Sequence, residues 1–408
     1  MSTGQAGRSS PTRNRFTIRS LVWSVYAPSF LLSFGQGLLI PVLPAFAEDQ
    51  FGATEALIGV AIASRHIGTM AFDVPAGVFV GRFGLRPTML GGVILFGIAA
   101  LIAAVSPNFT VLVIGRVLAG VSFALWSISR HVYIAQAVPV ASRGKALSLF
   151  GGVSRVATIL GPLAGGLLAR YVDQTAPFFA QAVVAAITAG LVLYTFRGTI
   201  DTLSDGAKHS ILPVLGHTLA DHRQIFATAG TAAIILQFMR QAREFIIPVH
   251  GGNLGLDEAE IGYVTTVSFA IDSMMFPLVG YVMDRWGRKF TGVPAYLTLA
   301  AGLAVIPFAD SFSALMLVGI LAGLGNGLSS GFVLTLGSDF APRENPGEFL
   351  GVWRFISDGG GASGPLVVGG LAQAFSLGTA SVVTGGFGVA GALILITMVR
   401  ETLVKQRD

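Results

Sequence analysis

The sequence predicts an all-α integral membrane protein of 12 transmembrane helices, arranged as two pseudo-symmetric six-helix bundles. Three observations predict it. Of 408 residues, 53% are apolar and 12% charged, and the mean hydropathy is +0.72, whereas soluble domains carry about 25% charged residues. Apolar runs of about 20 residues, the length that crosses a bilayer, recur along the chain. The chain also repeats itself at an offset of 203 residues, pairing Gly77 with Gly280, Gly84 with Gly287 and Leu118-Ala119-Gly120 with Leu321-Ala322-Gly323. The same offset pairs Pro139 with Pro342, Gly144 with Gly347 and Gly161-Pro162 with Gly364-Pro365. A repeat of this kind is read before local features. In so apolar a chain, two halves in the same order imply bundles that rock around a central site.

Span 1, near 20–47, follows a tail holding Arg8, Arg13, Arg15 and Arg19. Its apolar run is too long for a signal peptide and lacks a small-residue cleavage site, so it is expected to stay as a helix. Spans 2 (56–80) and 3 (88–106) flank a short basic loop at 81–87, and spans 4 (110–136) and 5 (146–170) flank another at 137–145. Span 6 (177–196) completes the first half. Spans 7 to 12 follow near 225–250, 258–282, 291–308, 313–338, 348–373 and 379–399. The organisation is therefore a tail at 1–19, a bundle at 20–197, a linker at 198–224, a bundle at 225–400 and a tail at 401–408. Within the linker, Ile211, Leu212, Val214, Leu215 and Leu219 fall roughly on one helical face. That pattern fits a tether between bundles or a helix lying on the membrane surface.

Loop charge sets the orientation. One side carries 18 Lys and Arg residues, and the other only Arg170, beside Glu48, Asp49, Glu55, Asp173, Asp257, Glu258, Glu260 and Asp310. Both termini are thus expected in the cytoplasm, in a multi-pass protein of the cell membrane. The basic residues sit in short loops without interleaved aromatics, so the pI near 9.7 does not indicate a nucleic-acid partner. There is no cysteine, which excludes disulfides and thiolate metal sites. No His-Glu-x-x-His metal pattern is present, and no enzyme activity, metal or cofactor is expected.

Within the spans lie Arg65, Asp73, Arg116, Arg130, Arg155, Arg240, Arg243, Glu244, Asp272, Arg354 and Asp358, with His66 and His131. They occupy spans 2, 4, 5, 7, 8 and 11 only. A charge facing lipid is costly, so these residues should face the interior, and charge-free spans 3, 6, 9 and 12 should face lipid. Arg240 and Glu244, like Arg354 and Asp358, are four apart and share a helical face. His66 and Asp73, seven apart, can bracket a proton path or serve separately. Seven arginines against four acids leave an excess of +3 inside, which needs carboxylate, carbonyl, water or an anionic ligand. The repeat mate of Arg155 is Asp358, which suggests a cross-bundle contact. Asp272 has no basic residue within a turn.

Gly280-Tyr-Val-Met-Asp284-Arg285-Trp-Gly287-Arg288-Lys289 resembles in full the loop motif of the major facilitator superfamily between spans 8 and 9. Its counterpart, Gly77-Val-Phe-Val-Gly81-Arg82-Phe-Gly84-Leu85-Arg86-Pro87, departs twice, with Gly81 for the usual Asp and Leu85 for a usual basic residue. Gly161-Pro162-Leu-Ala-Gly165-Gly166 resembles the span-5 motif of the 12-span drug:proton antiporter branch, and Gly364-Pro365 repeats it in span 11. Pro41-Val-Leu-Pro44 resembles the same branch, and Arg116 resembles its span-4 arginine for proton coupling. Span 1 offers only Gln36 where several multidrug exporters have an acid.

The resemblance implies alternating access by a monomer with a small-molecule substrate, protons and the lipid bilayer as partners. Proton-coupled efflux of a small amphipathic compound or drug is the first expectation, and a proton-coupled symporter or exchanger of a small organic anion is the alternative. Proton-coupling candidates are Asp73, Asp272, Glu244, Asp358 and Arg116. Substrate-cavity candidates are Gln36, Arg65, His66, Arg155, Arg240, Arg243 and Arg354. The loop motifs imply gating, with Asp284 clasping the start of span 5 near Gly144, where a helix N-terminus favours an anion.

Overall fold

The computed structural model describes residues 21–196, 211–344 and 346–403. The N-terminal tail, linker residues 198–210 and tail residues 404–408 lie outside the described residues.

All twelve spans form helices, and among the described residues nine are long and apolar enough to cross a membrane on those grounds alone. Spans 1, 7 and 11 fall short for identifiable reasons. Span 1 is broken into Val22–Tyr26, Ala27–Gly37 and Leu43–Phe51. The break at residues 38–42 coincides with Pro41, which has no N–H to give a helix. Span 7 (Thr231–Asn253) carries Arg240, Arg243 and Glu244, and span 11 (Pro346–Ala374) carries Arg354, Asp358 and eight glycines. Both are helices that face the middle of the protein.

The remaining spans are Glu55–Phe83 (2), Leu85–Ala104 (3), Phe109–Ala137 (4), Val140–Tyr171 (5), Ala176–Thr195 (6), Glu258–Trp286 (8), Arg288–Ala304 (9) and Leu377–Thr397 (12). Span 10 reads as continuous in the sequence but is two helices, Phe312–Leu328 and Phe332–Phe340, joined through Ser329, Ser330 and Gly331. The linker contains a helix at Ile211–Asp221, whose Leu219 packs against the large hydrophobic core.

The repeat extends into details of the backbone. Gly84 and Gly287, 203 residues apart, take φ of 85° and 108° and are the sole residues between spans 2 and 3 and between spans 8 and 9. The loop expected at 81–87 is therefore a single glycine, because only glycine enters this region without strain. The Asn108 side chain caps span 4 by accepting from the Val111 N–H at 3.1 Å. Ser311, its repeat mate, caps span 10 through the Ala314 N–H.

Spans 3, 6, 9 and 12 pack within their own halves and leave Ile94, Ile98, Val183, Ile187, Leu297, Phe387 and Leu393 exposed on the outer surface. An apolar exterior of this kind suits acyl chains. The halves meet through span 2 against span 11 and span 5 against span 8. On the acidic side the approach is backbone to backbone. A Cβ on Gly59 would collide with the Pro365 carbonyl, one on Gly166 with that of Glu258, and one on Gly369 would lie 2.5 Å from that of Glu55. Gln174 bridges the halves there, donating to Asp49 at 2.8 Å and Glu258 at 2.7 Å. Arg170 adds an ion pair to Asp257 at 2.7 Å. On the basic side, a Cβ at Gly77, Gly81, Gly144, Gly280 or Gly347 would meet nothing within 4 Å. The halves thus touch backbone to backbone on the acidic side, while these five glycines of the basic side face open space.

Candidate functional site

A central cavity of about 500 Å³ lies between the halves. Span 1 contributes Ser33 and Gln36, span 2 Arg65 and His66, and span 4 Arg116, Phe123, Ser127, Arg130 and His131. Span 5 adds Phe150, Ser154 and Thr158 on one helical face, span 7 adds Gln241 and Glu244, span 8 Phe269 and span 11 Arg354. Helical spacing of four residues places Phe150, Ser154 and Thr158 in line, and the same rule aligns Phe123, Ser127 and His131.

Of the residues proposed from sequence, Gln36, Arg65, His66, Arg116, Glu244 and Arg354 line this cavity, while Arg155, Arg240 and Arg243 stand outside it. Arg240 does not pair with Glu244 as its spacing suggested. It donates from Nε to Asn326 at 2.8 Å and from Nη1 to Gln237 at 3.0 Å. Arg243 is buried, donating to Ser268 at 3.3 Å with its guanidinium 5.0 Å from the Phe269 ring centre. Arg155 does not reach Asp358. It crosses from span 5 to Asp272 of span 8 at 3.4 Å and donates to Ser330 at 3.2 Å. Asp272, which lacks a basic neighbour in sequence, thus has one in space, and it also accepts from Asn326 at 2.5 Å.

A third cross-half ion pair joins Asp73 of span 2 to Arg354 of span 11 at 3.9 Å, and Arg354 also meets Asp358 at 3.4 Å. His66 contacts Arg65 at 3.0 Å rather than Asp73. Glu244 lines the cavity without an ion pair or hydrogen bond among the described residues. Arg116 is 7% exposed and makes one hydrogen bond, to the Ala61 carbonyl at 3.4 Å. The lining therefore holds four arginines against one carboxylate, and among the described residues Arg354 is the one of the four that forms ion pairs.

The antiporter-like glycines lie where helices touch. A Cβ on Gly161 would come 2.6 Å from the Gly37 Cα, and one on Gly165 would overlap the Leu38 carbonyl, in the broken stretch of span 1. In span 11, a Cβ on Gly364 would lie 2.7 Å from the Phe238 carbonyl of span 7. Pro162 and Pro365 occupy matching helix interiors.

In the second half, Arg288 of the loop motif donates from Nε to Asp339 at 2.9 Å and from Nη1 to the Met283 carbonyl at 2.7 Å. Asp284 does not reach the start of span 5. Its side chain is 80% exposed and meets Arg288 at 3.4 Å. Glu401 accepts from the Arg288 and Lys289 N–H groups at 2.8 and 3.0 Å, and Lys289 Nζ donates to the Ile396 carbonyl at 2.9 Å. Burial pushes the Glu401 carboxyl up, and the backbone N–H groups of Lys289, Arg288, Leu403 and Thr402 outweigh it and hold it below the usual range. In the first half the mates of Asp284, Arg288 and Asp339 are Gly81, Leu85 and Gln136, so no equivalent network forms. Arg285 and Arg82, which are repeat mates, lie near the faces of Trp286 and Phe83. Arg86 sits in the first turn of span 3.

Sequence reasoning missed Ser127, Ser154, Thr158, Gln241 and the three cavity phenylalanines. A face of hydroxyls at four-residue spacing was the available signal in span 5.

A family description, Major Facilitator Superfamily, matches residues 27–242 and 225–407. The chain is similar to Quinolone resistance protein NorA of Staphylococcus aureus, 22% identical over 388 residues that cover 93% of this chain and 96% of that protein. It is similar also to Multidrug resistance protein 2 of Bacillus subtilis, 30% identical over 275 residues, covering 64% of this chain and 66% of the relative. The crystal structure of a D-xylose-proton symporter superposes with a TM-score of 0.73 at 20% identity, covering 94% of this chain and 98% of that one. Nucleoside transporter NupG superposes with a TM-score of 0.74 at 14% identity, covering 94% and 99%. At those identities the superpositions speak to fold alone. With the family match running from residue 27 to residue 407, this chain belongs to the major facilitator superfamily and is a multi-pass membrane transporter, not an enzyme.

Proposed function

We propose that this transporter exports a small amphipathic compound in exchange for protons. The observation that carries the reading is the central cavity, lined from both halves, which joins three phenylalanines to a dense set of polar and cationic groups. Such a lining suits a molecule with an apolar body and a polar end. The antiporter-like glycines pack span 5 on span 1 and span 11 on span 7 at backbone distance, which makes these contacts candidates for the sliding surfaces of alternating access. Similarity to proteins named for quinolone and multidrug resistance supports export.

Glu244 is the proton carrier we favour, because it faces the cavity without a fixed partner among the described residues. Asp73, Asp272 and Asp358 are engaged in ion pairs, and Arg116 stands beside the cavity. In the orientation set by loop charge, both termini are cytoplasmic, the protein sits in the cell membrane, and the conformation described here faces inward. The bundles are 20–197 and 225–400, and the protein works as a monomer.

Proteoliposomes with a trapped pH dye test the reading. Substrate-evoked proton movement opposite to the substrate supports export by exchange. Movement in the same direction supports the second reading, an organic-anion symporter, which the surplus of cavity arginines favours.

A further inference from the structure

Arg130 is 6% exposed and lines the central cavity, yet it pairs with no carboxylate among the described residues. Its guanidinium carbon lies 4.0 Å from the centre of the Phe150 ring. Its one hydrogen bond is a 3.4 Å contact from Nη2 to Ser127, and its Nε is buried without a partner. One turn along span 5 from Phe150, Ser154 also lines the cavity, and its hydroxyl has no hydrogen-bond partner among the described residues. Arg354 lines the cavity from the opposite half, held by Asp73 and Asp358, and so adds little free positive charge. Burying an arginine without an acid is costly unless something else supplies the negative charge. Here a cation, an unsatisfied hydroxyl and an aromatic ring belong to three residues of the cavity wall.

We infer that Arg130, Ser154 and Phe150 form a subsite for the anionic group of the transported compound, with an aromatic carboxylate as the fitting class. Arg130 and the Ser154 hydroxyl donate to the carboxylate, and Phe150 packs the Arg130 guanidinium on one face and fixes its orientation. Phe123 and Phe269 line the apolar part of the cavity that receives the ring. This inference rests on the export reading for its substrate but is tested by binding, which does not depend on the direction of transport.

The experiment compares three probes of one shape, naphthoate, naphthylmethanol and naphthylmethylammonium, by calorimetry on the full chain in phosphatidylcholine nanodiscs. The wild type is expected to favour naphthoate over the alcohol by roughly tenfold or more, the scale of a charge-assisted hydrogen bond. Arg130→Gln should abolish that preference by lowering naphthoate affinity far more than naphthylmethanol affinity, and Ser154→Ala should reduce it in part. A wild type without the preference, or an Arg130→Gln protein that keeps it, overturns the inference. If Arg130→Gln does not survive purification, Arg130→Lys and Ser154→Ala give the same reading, and an unchanged preference in both overturns it. Proton flux in matched proteoliposomes separates the two readings. A preference that depends on Arg130 without proton counterflow upholds the subsite and removes export by exchange.

Discussion

Arg155 and Asp272 meet at 3.4 Å across the boundary between the two halves. Asn326 and Ser330 complete the shell of the carboxylate. Both serine and asparagine belong to span 10, and Ser330 lies in the break of that span. Any motion that separates span 5 from span 8 must therefore break the pair and disturb the kink.

A double-mutant cycle tests the pair. Arg155→Gln and Asp272→Asn should each destabilise the purified protein by about 1–3 kcal/mol, because each leaves a polar partner under-satisfied. The double substitution should cost less than the sum. Additive losses in thermal unfolding would show that the two side chains do not interact.

Gly165→Ala should lower stability by about 1–3 kcal/mol, since a Cβ there overlaps the Leu38 carbonyl and the backbone of span 1 cannot yield cheaply. Gly144→Ala, whose Cβ meets nothing within 4 Å, is the control. Melting midpoints of the two proteins should separate by several degrees, and equal midpoints would contradict the packing.

Glu244→Gln should retain substrate binding and lose substrate-evoked proton movement, as measured with a trapped pH dye. Coupled proton flux that persists in this variant assigns the carrier elsewhere.

Glu401 ties the end of span 12 to the first turn of span 9. Because its folded pKa lies below the usual range, its stabilising effect is present above about pH 4.3 and is lost as pH falls through the lower folded value. Protection of the Arg288 and Lys289 amides, exchange measured relative to the intrinsic rate at each pH, should be high at neutral pH and fall on acidification through that window. Glu401→Gln should show low protection throughout, and identical profiles for the two proteins would refute the tie.

Gly81→Asp restores an acid at the repeat mate of Asp284 without a clash, as nothing lies within 4 Å of the added Cβ. Spectroscopic distances across the basic side should then shift toward a closed population. An unchanged distribution would show that the missing acid has no part in setting the resting state.

Spans and the inward placement of charge were legible because both follow from transfer energies that act residue by residue. Partners were not. The offset of 203 related Arg155 to Asp358 as equivalent positions, but residues related by a pseudo-symmetry axis touch only when they lie beside that axis, and these two find other partners. Arg240 and Glu244 share a helical face, yet Asn326 from span 10 captures the guanidinium first. The break in span 10 also escaped notice, because Ser329, Ser330 and Gly331 interrupt hydropathy too little to divide an apolar run. Ser154 and Phe150 gained meaning only when span 5 was placed opposite Arg130.

The single-glycine joints at Gly84 and Gly287 leave no slack between neighbouring spans. When span 2 or span 8 tilts, span 3 or span 9 must follow at once, and those followers are helices with exposed apolar flanks on the outer surface. Each transport cycle thus reshapes the protein's belt against the bilayer. Acyl-chain length and lateral pressure become thermodynamic variables of the cycle, able to favour one facing state over the other without a ligand.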